Sequence, residues 1–503
     1  MKKLSIGIMF LGLLLAPFMG SKASANIVQT NDTYTYDMME KDLDSLDEQF
    51  KDLIEVYNIG DTPYGRDLYL VKVGYGDANV IYNGSHHARE WLTTTLNMKM
   101  MERYAQAYNS NSSLGGYNVK DLLHNTTMWF VPMVNPDGVT LQQFGLDAFP
   151  KSVHNELISM NNGSSNFDRW KANAQGIDLN RQYPAGWDSV IAVNPTPSWK
   201  NYKGDHPFQA PEAKVMRDIT YILDPDITLA YHTAGQILYW NFNVEQSNLA
   251  RDRRIASKFS TASGYRMVDT HSGAGYTDWI NQDFDQPGLT PELAVYQGET
   301  NVDPSKFQEA WVRNKHAGLA MADEGVKIHT KKEKNTEQKT VYVDQKAKTN
   351  ILPSNQAAPY EQVQNVRENY HLTLPESVEL YSWYQNCQAC TLQDQQAADI
   401  FDELVHFTEK DSKKNIIQDK TWTITLNTEM DASSATKENV YVMNQEGSKI
   451  TNPSIKVDGK RVMITSPKSN YQSGKSYTLY VKELVSTQGK KMENPVEMTF
   501  TVE

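Results

Sequence analysis

Asn79-Val80-Ile81-Tyr82-Asn83-Gly84-Ser85-His86-His87-Ala88-Arg89-Glu90-Trp91 is the stretch on which the fold turns. An apolar, β-branched run from Asn79 to Tyr82 predicts a buried strand, and Trp91 to Tyr108 has helical character. The same alternation recurs along the chain. Leu68 to Val73, Thr127 to Met133, Ile227 to Tyr231 and Leu289 to Tyr296 read as strands. Tyr36 to Phe50, Pro211 to Leu223, Leu249 to Ser263 and Ser305 to Ala322 read as helices. Strands alternating with helices predict an α/β domain, a mixed and mostly parallel sheet covered on both faces. In such sheets ligands bind at the carboxyl ends of the strands.

His87 leaves the first of these strands, and Glu90 follows three residues later in the first helical turn. The two can therefore converge on one ion. A catalytic zinc site of two histidines and one glutamate needs a second, distant histidine. The best candidate is His232, which ends the strand Asp226 to Tyr231 and so lies at the same edge of the sheet.

Taken together, His87-Ala88-Arg89-Glu90-Trp91, Asn135-Pro136-Asp137-Gly138, Gly176-Ile177-Asp178-Leu179-Asn180-Arg181, His232 and Pro291-Glu292-Leu293 stand in an order that resembles the zinc carboxypeptidases of the carboxypeptidase A type. The resemblance spans roughly residues 34 to 325. It implies a single zinc ion per chain on His87, Glu90 and His232, with Glu292 as general base. Glu292 sits in an apolar strand where an unpaired charge is costly, which independently favours function. The resemblance further implies that Asp178 fixes the tautomer of His87. Asn180 and Arg181 would grip a substrate's terminal carboxylate, with Arg89 as another cationic contact.

The chain also departs from the pancreatic-type pattern. Those enzymes carry Trp-Arg-Lys, the arginine assisting the oxyanion, where this chain has Arg169-Trp170-Lys171. Either Lys171 takes that place, the preferred reading, or Arg169 reaches in. No tyrosine occurs in Val268-Asp269-Thr270-His271, where the family places its substrate-covering tyrosine, and Tyr276 lies downstream. Thr277 falls at the base of the specificity pocket, where a small neutral residue predicts neither strong basic nor strong acidic selection. The run from Arg169 to Pro184 also resembles the bacterial branch that cuts γ-D-glutamyl to diamino acid bonds in cell-wall peptides. The main expectation is therefore a secreted metallocarboxypeptidase, and the alternative a γ-D-glutamyl-diaminopimelate peptidase acting on peptidoglycan stem peptides. A wall-binding protein with a relic peptidase fold is the non-enzyme alternative, and intact site residues argue against it. Tyr34-Thr35-Tyr36 follows the leader closely, so no long prosegment is expected.

The leader is Met1 to Ala25. Lys2-Lys3, an apolar run from Leu4 to Phe18 and a small-residue end at Ala23-Ser24-Ala25 form a secretory signal, predicting an extracellular or wall-associated protein with no membrane span after cleavage. Lys2, Lys3 and Lys22 are its only charges, so the formal net charge of −12 falls to −15 without it. That acidity excludes a nucleic-acid partner. The catalytic domain is placed at 31–329, followed by a linker and an unassigned region at 330–412. The linker implies that a chain ending near Lys332 folds and acts alone. Residues 413–503 hold short strands separated by turns, and resemble bacterial immunoglobulin-like modules, a β-sandwich suited to spacing or cell-wall contact. Gly474-Lys475-Ser476 lacks the earlier glycine of a P-loop, and neither His-Glu-x-x-His nor Gly-x-Ser-x-Gly occurs. Cys387 and Cys390 are the two cysteines and read as a local disulfide or free thiols rather than a redox motif.

Overall fold

The computed structural model describes residues 26–339, 359–386 and 408–503, apart from 192, 371, 427, 438, 445–448, 451–453, 468–469 and 493–495. The leader at 1–25 and the cysteines at 387 and 390 lie outside the described residues. No described helix is long and apolar enough to cross a membrane.

Helix α1 (Tyr36–Phe50) starts where Thr35 Oγ1 accepts the amide of Met38, and it buries Met39, Leu43, Leu46 and Phe50 along one stripe. Strands β1 (Ile54–Asp61), β2 (Asp67–Gly74) and β3 (Ala78–Asn83) follow, then α2 (Leu92–Asn109). A short hairpin of β4 (Ser113–Leu114) and β5 (Tyr117–Asn118) leads to α3 (Val119–Asn125) and β6 (Thr126–Val131). Next come α4 (Pro136–Phe144), α5 (His154–Met160) and α6 (Pro211–Leu223), then β7 (Ile227–Ala230), β8 (His232–Thr233) and β9 (Ile237–Tyr239). The domain continues with α7 (Leu249–Ser263), β10 (Arg266–Val268), α8 (Tyr276–Asp283), β11 (Gly288–Leu293), α9 (Phe307–Asn314) and α10 (Ala317–Lys339).

The nine strands other than the hairpin form one sheet in the order β1-β2-β6-β3-β7-β11-β9-β10, with β8 beside β11. β3 pairs parallel with β6 and β7, and β11 parallel with β7 and β8, whereas β2 runs antiparallel to both of its neighbours, β1 and β6. Alternate residues of one strand feed two cores. Val80 and Tyr82 pack with α1, α2, α7 and α10, while Ile81 packs on the opposite face with α6 and α8. This is the mixed, mostly parallel sheet with helices on both faces that the sequence predicts.

The region after Thr330 differs from its reading as a linker. Helix α10 runs on through Lys339, and α11 (Pro359–Tyr370) and α12 (Leu374–Asn386) pack on the catalytic domain. Val363, Val378, Leu380 and Tyr381 join the same core as Ile59, Ile219 and Ile222. Tyr381 donates its hydroxyl to Asp218 at 3.0 Å. The helix expected from Ser305 to Ala322 is two helices, α9 and α10, with a break at Lys315 and His316.

The last part is a two-sheet β module. β12 (Thr408–Ile416), β13 (Trp422–Thr425), β14 (Val440–Asn444), β15 (Ile455–Asp458), β16 (Arg461–Ile464), β17 (Ser476–Val481) and β18 (Val496–Val502) form sheets of order β12-β18-β17-β14 and β13-β16-β15. Trp422, Val442, Val462, Ile464, Leu479 and Phe500 fill the space between them. The module docks through charged contacts. Lys491 binds Glu55 at 2.9 Å, His124 meets Asp431 at 2.8 Å, and buried Lys482 binds both carboxylate oxygens of Glu376 on α12. A cleft between module and catalytic domain is lined by Gly76 and Asp77 just before β3, Thr127 at the start of β6 and Asp224 just before β7. The module therefore sits at the amino ends of the parallel strands.

Candidate metal centre and substrate crevice

At the opposite, carboxyl ends of those strands the loops carry polar side chains. Gly84 follows β3, and a Cβ there would stand 2.8 Å from Thr93 Oγ1 and 2.9 Å from Asn97 Nδ2, so only glycine lets the strand exit this close to α2. The turn delivers His87, and Glu90 follows within one turn of helix. Asn135 ties the turn down by donating from Nδ2 to the carbonyls of His86 and Ala172, each at 3.1 Å. Its Oδ1 accepts the amide of Gly138, which accounts for the Asn-Pro-Asp-Gly motif.

His87 Nδ1 lies 2.8 Å from Glu90 Oε1, and His232 Nδ1 lies 2.8 Å from Glu90 Oε2. The two Nδ1 atoms are 3.1 Å apart. All three side chains are buried, and among the described residues they are the one group of three able to hold a metal ion. His87 Nε2 faces Asp178 Oδ1 at 3.1 Å. With the proton on that nitrogen, Nδ1 presents a lone pair to a carboxylate and to a second imidazole. Three acceptors brought together out of water fit a cation. His86, by contrast, bonds Tyr183 through Nε2 at 2.9 Å and stands outside this convergence.

The electrostatics agree with the geometry. Burial works to raise Glu90, yet His87 and His232 hold it below the usual carboxylate range. Burial likewise opposes ionisation of Asp178, but Lys171 and His87 keep it well below its ordinary value. Lys171 Nζ reaches Asp178 Oδ2 at 2.9 Å. Arg169 points elsewhere, donating to Asn161 and lying over the Trp199 ring at 4.2 Å. Of the two residues left open by the sequence, Lys171 is the one at the centre.

Glu292 on β11 is aligned with His232 on β8. It is only partly buried, and among the described residues its carboxylate makes no hydrogen bond. Burial and the neighbouring Glu90 push it up to about 7, while His232 and Lys171 pull it down.

Residues 39–299, more than half of the chain, match the sequence profile of the zinc carboxypeptidases. The chain belongs to the zinc carboxypeptidase family. Residues 402–502 match a bacterial Ig-like domain. A γ-D-glutamyl-L-diamino acid endopeptidase 1 of Lysinibacillus sphaericus is 36% identical over 269 residues, covering 53% of this chain and 67% of that protein. The uncharacterised protein YqgT of Bacillus subtilis is 32% identical over 295 residues, covering 57% and 76%. Carboxypeptidase B of Astacus astacus is 28% identical over 216 residues, covering 42% and 64%. The protein is thus a peptide hydrolase of a zinc-dependent family.

In this zinc carboxypeptidase domain, Asn180 and Arg181 follow Asp178 directly. Asn180 Oδ1 accepts the amide of Tyr276 at 3.0 Å, which joins the pair to the start of α8. Arg181 Nε is buried without a partner among the described residues, although one Nη donates to the Asn180 carbonyl. Thr277 Oγ1 meets Thr290 Oγ1 at 2.5 Å, closing a neutral floor between α8 and β11. Beside it, burial pushes Asp278 up to about 7, and its carboxylate caps α8 through the amide of Gly275. Tyr276 is a core residue bonded to Thr220, not a mobile cover.

Arg89 lies at the rim, engaged by Glu299 at 2.5 Å and by the carbonyl of Arg169. Lys200 binds the same Glu299 at 3.0 Å. Sequence reasoning missed Glu299, because nothing in its local pattern marks a carboxylate that bonds a residue 210 positions away.

Proposed function

We propose that the protein is an exported peptidase that holds one zinc ion per chain on His87, Glu90 and His232, and cuts the bond before a residue bearing a free carboxylate. The convergence of two imidazoles and a carboxylate, with Glu292, Lys171 and Arg181 around them, carries this reading. The ion, when bound, supplies a Lewis acid that polarises the scissile carbonyl and acidifies water. Glu292 takes a proton from the attacking water on its free carboxylate and returns it to the leaving amine. Lys171, anchored by Asp178, sets a positive charge where negative charge develops on the carbonyl oxygen. Asp178 holds His87 in the required tautomer. Arg181, with its unpartnered Nε, and Asn180 grip the terminal carboxylate above the neutral floor of Thr277. Arg89 contributes positive charge at the rim.

A finer reading follows from the similarity to the Lysinibacillus sphaericus enzyme. The peptides cleaved are cell-wall stem peptides, cut between γ-D-glutamate and a diamino acid. A secretory leader at 1–25 and an Ig-like module that contacts the wall suit such a substrate.

The test uses purified protein loaded with zinc and three peptides: an ordinary free-acid peptide, its C-terminal amide, and a γ-D-glutamyl-diaminopimelate peptide. Metal analysis should give one zinc per chain, and mass spectrometry should find the amide resistant. Arg181→Ala should cost about 2 to 5 kcal/mol in kcat/KM on the free acid. Equal cleavage of acid and amide would overturn the carboxylate grip. Exclusive cleavage of the ordinary peptide would overturn the stem-peptide reading alone.

A further inference from the structure

The register of four strands aligns His232, Glu292, Ile237 and Arg266 in one row across β8, β11, β9 and β10. The next row runs through Thr290, Tyr239 and Val268. Residues paired across a sheet, and residues two apart along a strand, share a face. Arg266 and Tyr239 therefore stand on the same face as the proposed base and the Thr290 floor. Two strand spacings, about 10 Å, separate the backbones of Arg266 and Glu292. Tyr239 stands on the strand between them; burial and Glu292 raise its hydroxyl, and Arg266 eases the shift. Arg266 is exposed, and its guanidinium has no partner among the described residues. One face of the sheet thus carries a guanidinium at Arg266 on its edge strand, with Tyr239 and Thr290 on the strands between it and the crevice that holds Arg181.

We propose that Arg266 is a specificity-determining residue, binding a carboxylate at the far end of a long side chain on the residue that follows the scissile bond, with Tyr239 lining the path. Arg181 takes the near carboxylate and Arg266 the distal one, so the site selects diaminopimelate over lysine. This inference rests on the peptidase reading above and extends it from a diamino acid to a diamino dicarboxylic acid.

The experiment measures kcat and KM of the zinc-loaded full-length chain on four peptides. Two carry a γ-D-glutamyl bond to meso-diaminopimelate or to L-lysine, and two carry an ordinary L-alanyl bond to the same residues. In each pair the wild type should favour diaminopimelate at least tenfold in kcat/KM. Arg266→Ala and Arg266→Gln should each erase that preference through a raised KM for the diaminopimelate peptide, leaving the lysine peptide unchanged. Binding of free meso-diaminopimelate, followed by calorimetry, should weaken to match. No preference in the wild type, or a preference that survives both variants, overturns the proposal. If only the L-alanyl pair is cleaved and the preference follows Arg266, the stem-peptide reading fails while the role of Arg266 stands. No cleavage of any of the four overturns both.

Discussion

Glu292 and Glu212 are both carboxylates pushed up to about 7 by burial, yet they differ in what surrounds them. Glu292 opens to the crevice beside the candidate metal ligands. Glu292→Gln should retain zinc by metal analysis while turnover falls by orders of magnitude, because only the proposed proton relay is removed. Glu212 is fully buried, bonded by Asn173 Nδ2 at 3.2 Å and 3.3 Å, with Asp137 nearby. Its folded-state value lies above its ordinary 4.5, so its contribution to stability is complete below that pH and is lost as pH rises through about 7. Glu212→Gln should flatten this slope, on the order of 3 kcal/mol, in denaturant titrations at about pH 5 and about pH 8. At this scale the convergence of the candidate metal set was legible: three residues of spacing at a strand exit place His87 beside Glu90, and the matched motif supplies His232. The choice between Lys171 and Arg169 was not, because both sit in an irregular loop whose path, which aims Lys171 at Asp178 and Arg169 at Asn161, has no period to read. Arg266 was invisible as well, since its relation to Glu292 exists only through the register of three strands.

Helices α11 and α12 mark where local pattern ran out. Helix α11 is polar on average and α12 lacks a marked apolar stripe, and their buried residues find partners on α6 and β1, more than a hundred positions earlier. A short apolar face of that kind carries little periodic signal. Strand β1 escaped for a related reason: Glu55 and Asn58 interrupt it, and Glu55 is matched by Lys72 at 2.8 Å on β2. Helices Pro211–Leu223 and Leu249–Ser263, by contrast, keep the bounds that their amphipathic spacing predicts. Because Tyr381 is fully buried and bonded to Asp218, Tyr381→Ala should destabilise the protein by about 3 to 5 kcal/mol. Zinc content per folded molecule should stay unchanged, which a urea titration followed by metal analysis checks. A chain ending at Lys332 lacks both helices and exposes their core, so it should express as aggregate rather than as a free-standing enzyme.

Across the whole molecule, the Ig-like module is joined to the catalytic domain by charges withdrawn from water. Lys482 is 1% exposed and its partner Glu376 8%. Removing one member leaves the other buried without compensation, whereas replacing both with neutral groups does not. Lys482→Met should therefore cost about 3 to 5 kcal/mol, and adding Glu376→Gln should recover most of it, as read from unfolding midpoints. Module and crevice occupy opposite ends of the same parallel strands, and β3 spans six residues, or about 20 Å. This arrangement gives the protein a front and a back. Under the proposed wall contact, the polymer held by the module would lie behind the enzyme and the crevice would face away from it, so the peptides within reach would hang from neighbouring strands of the mesh and not from the one that anchors it.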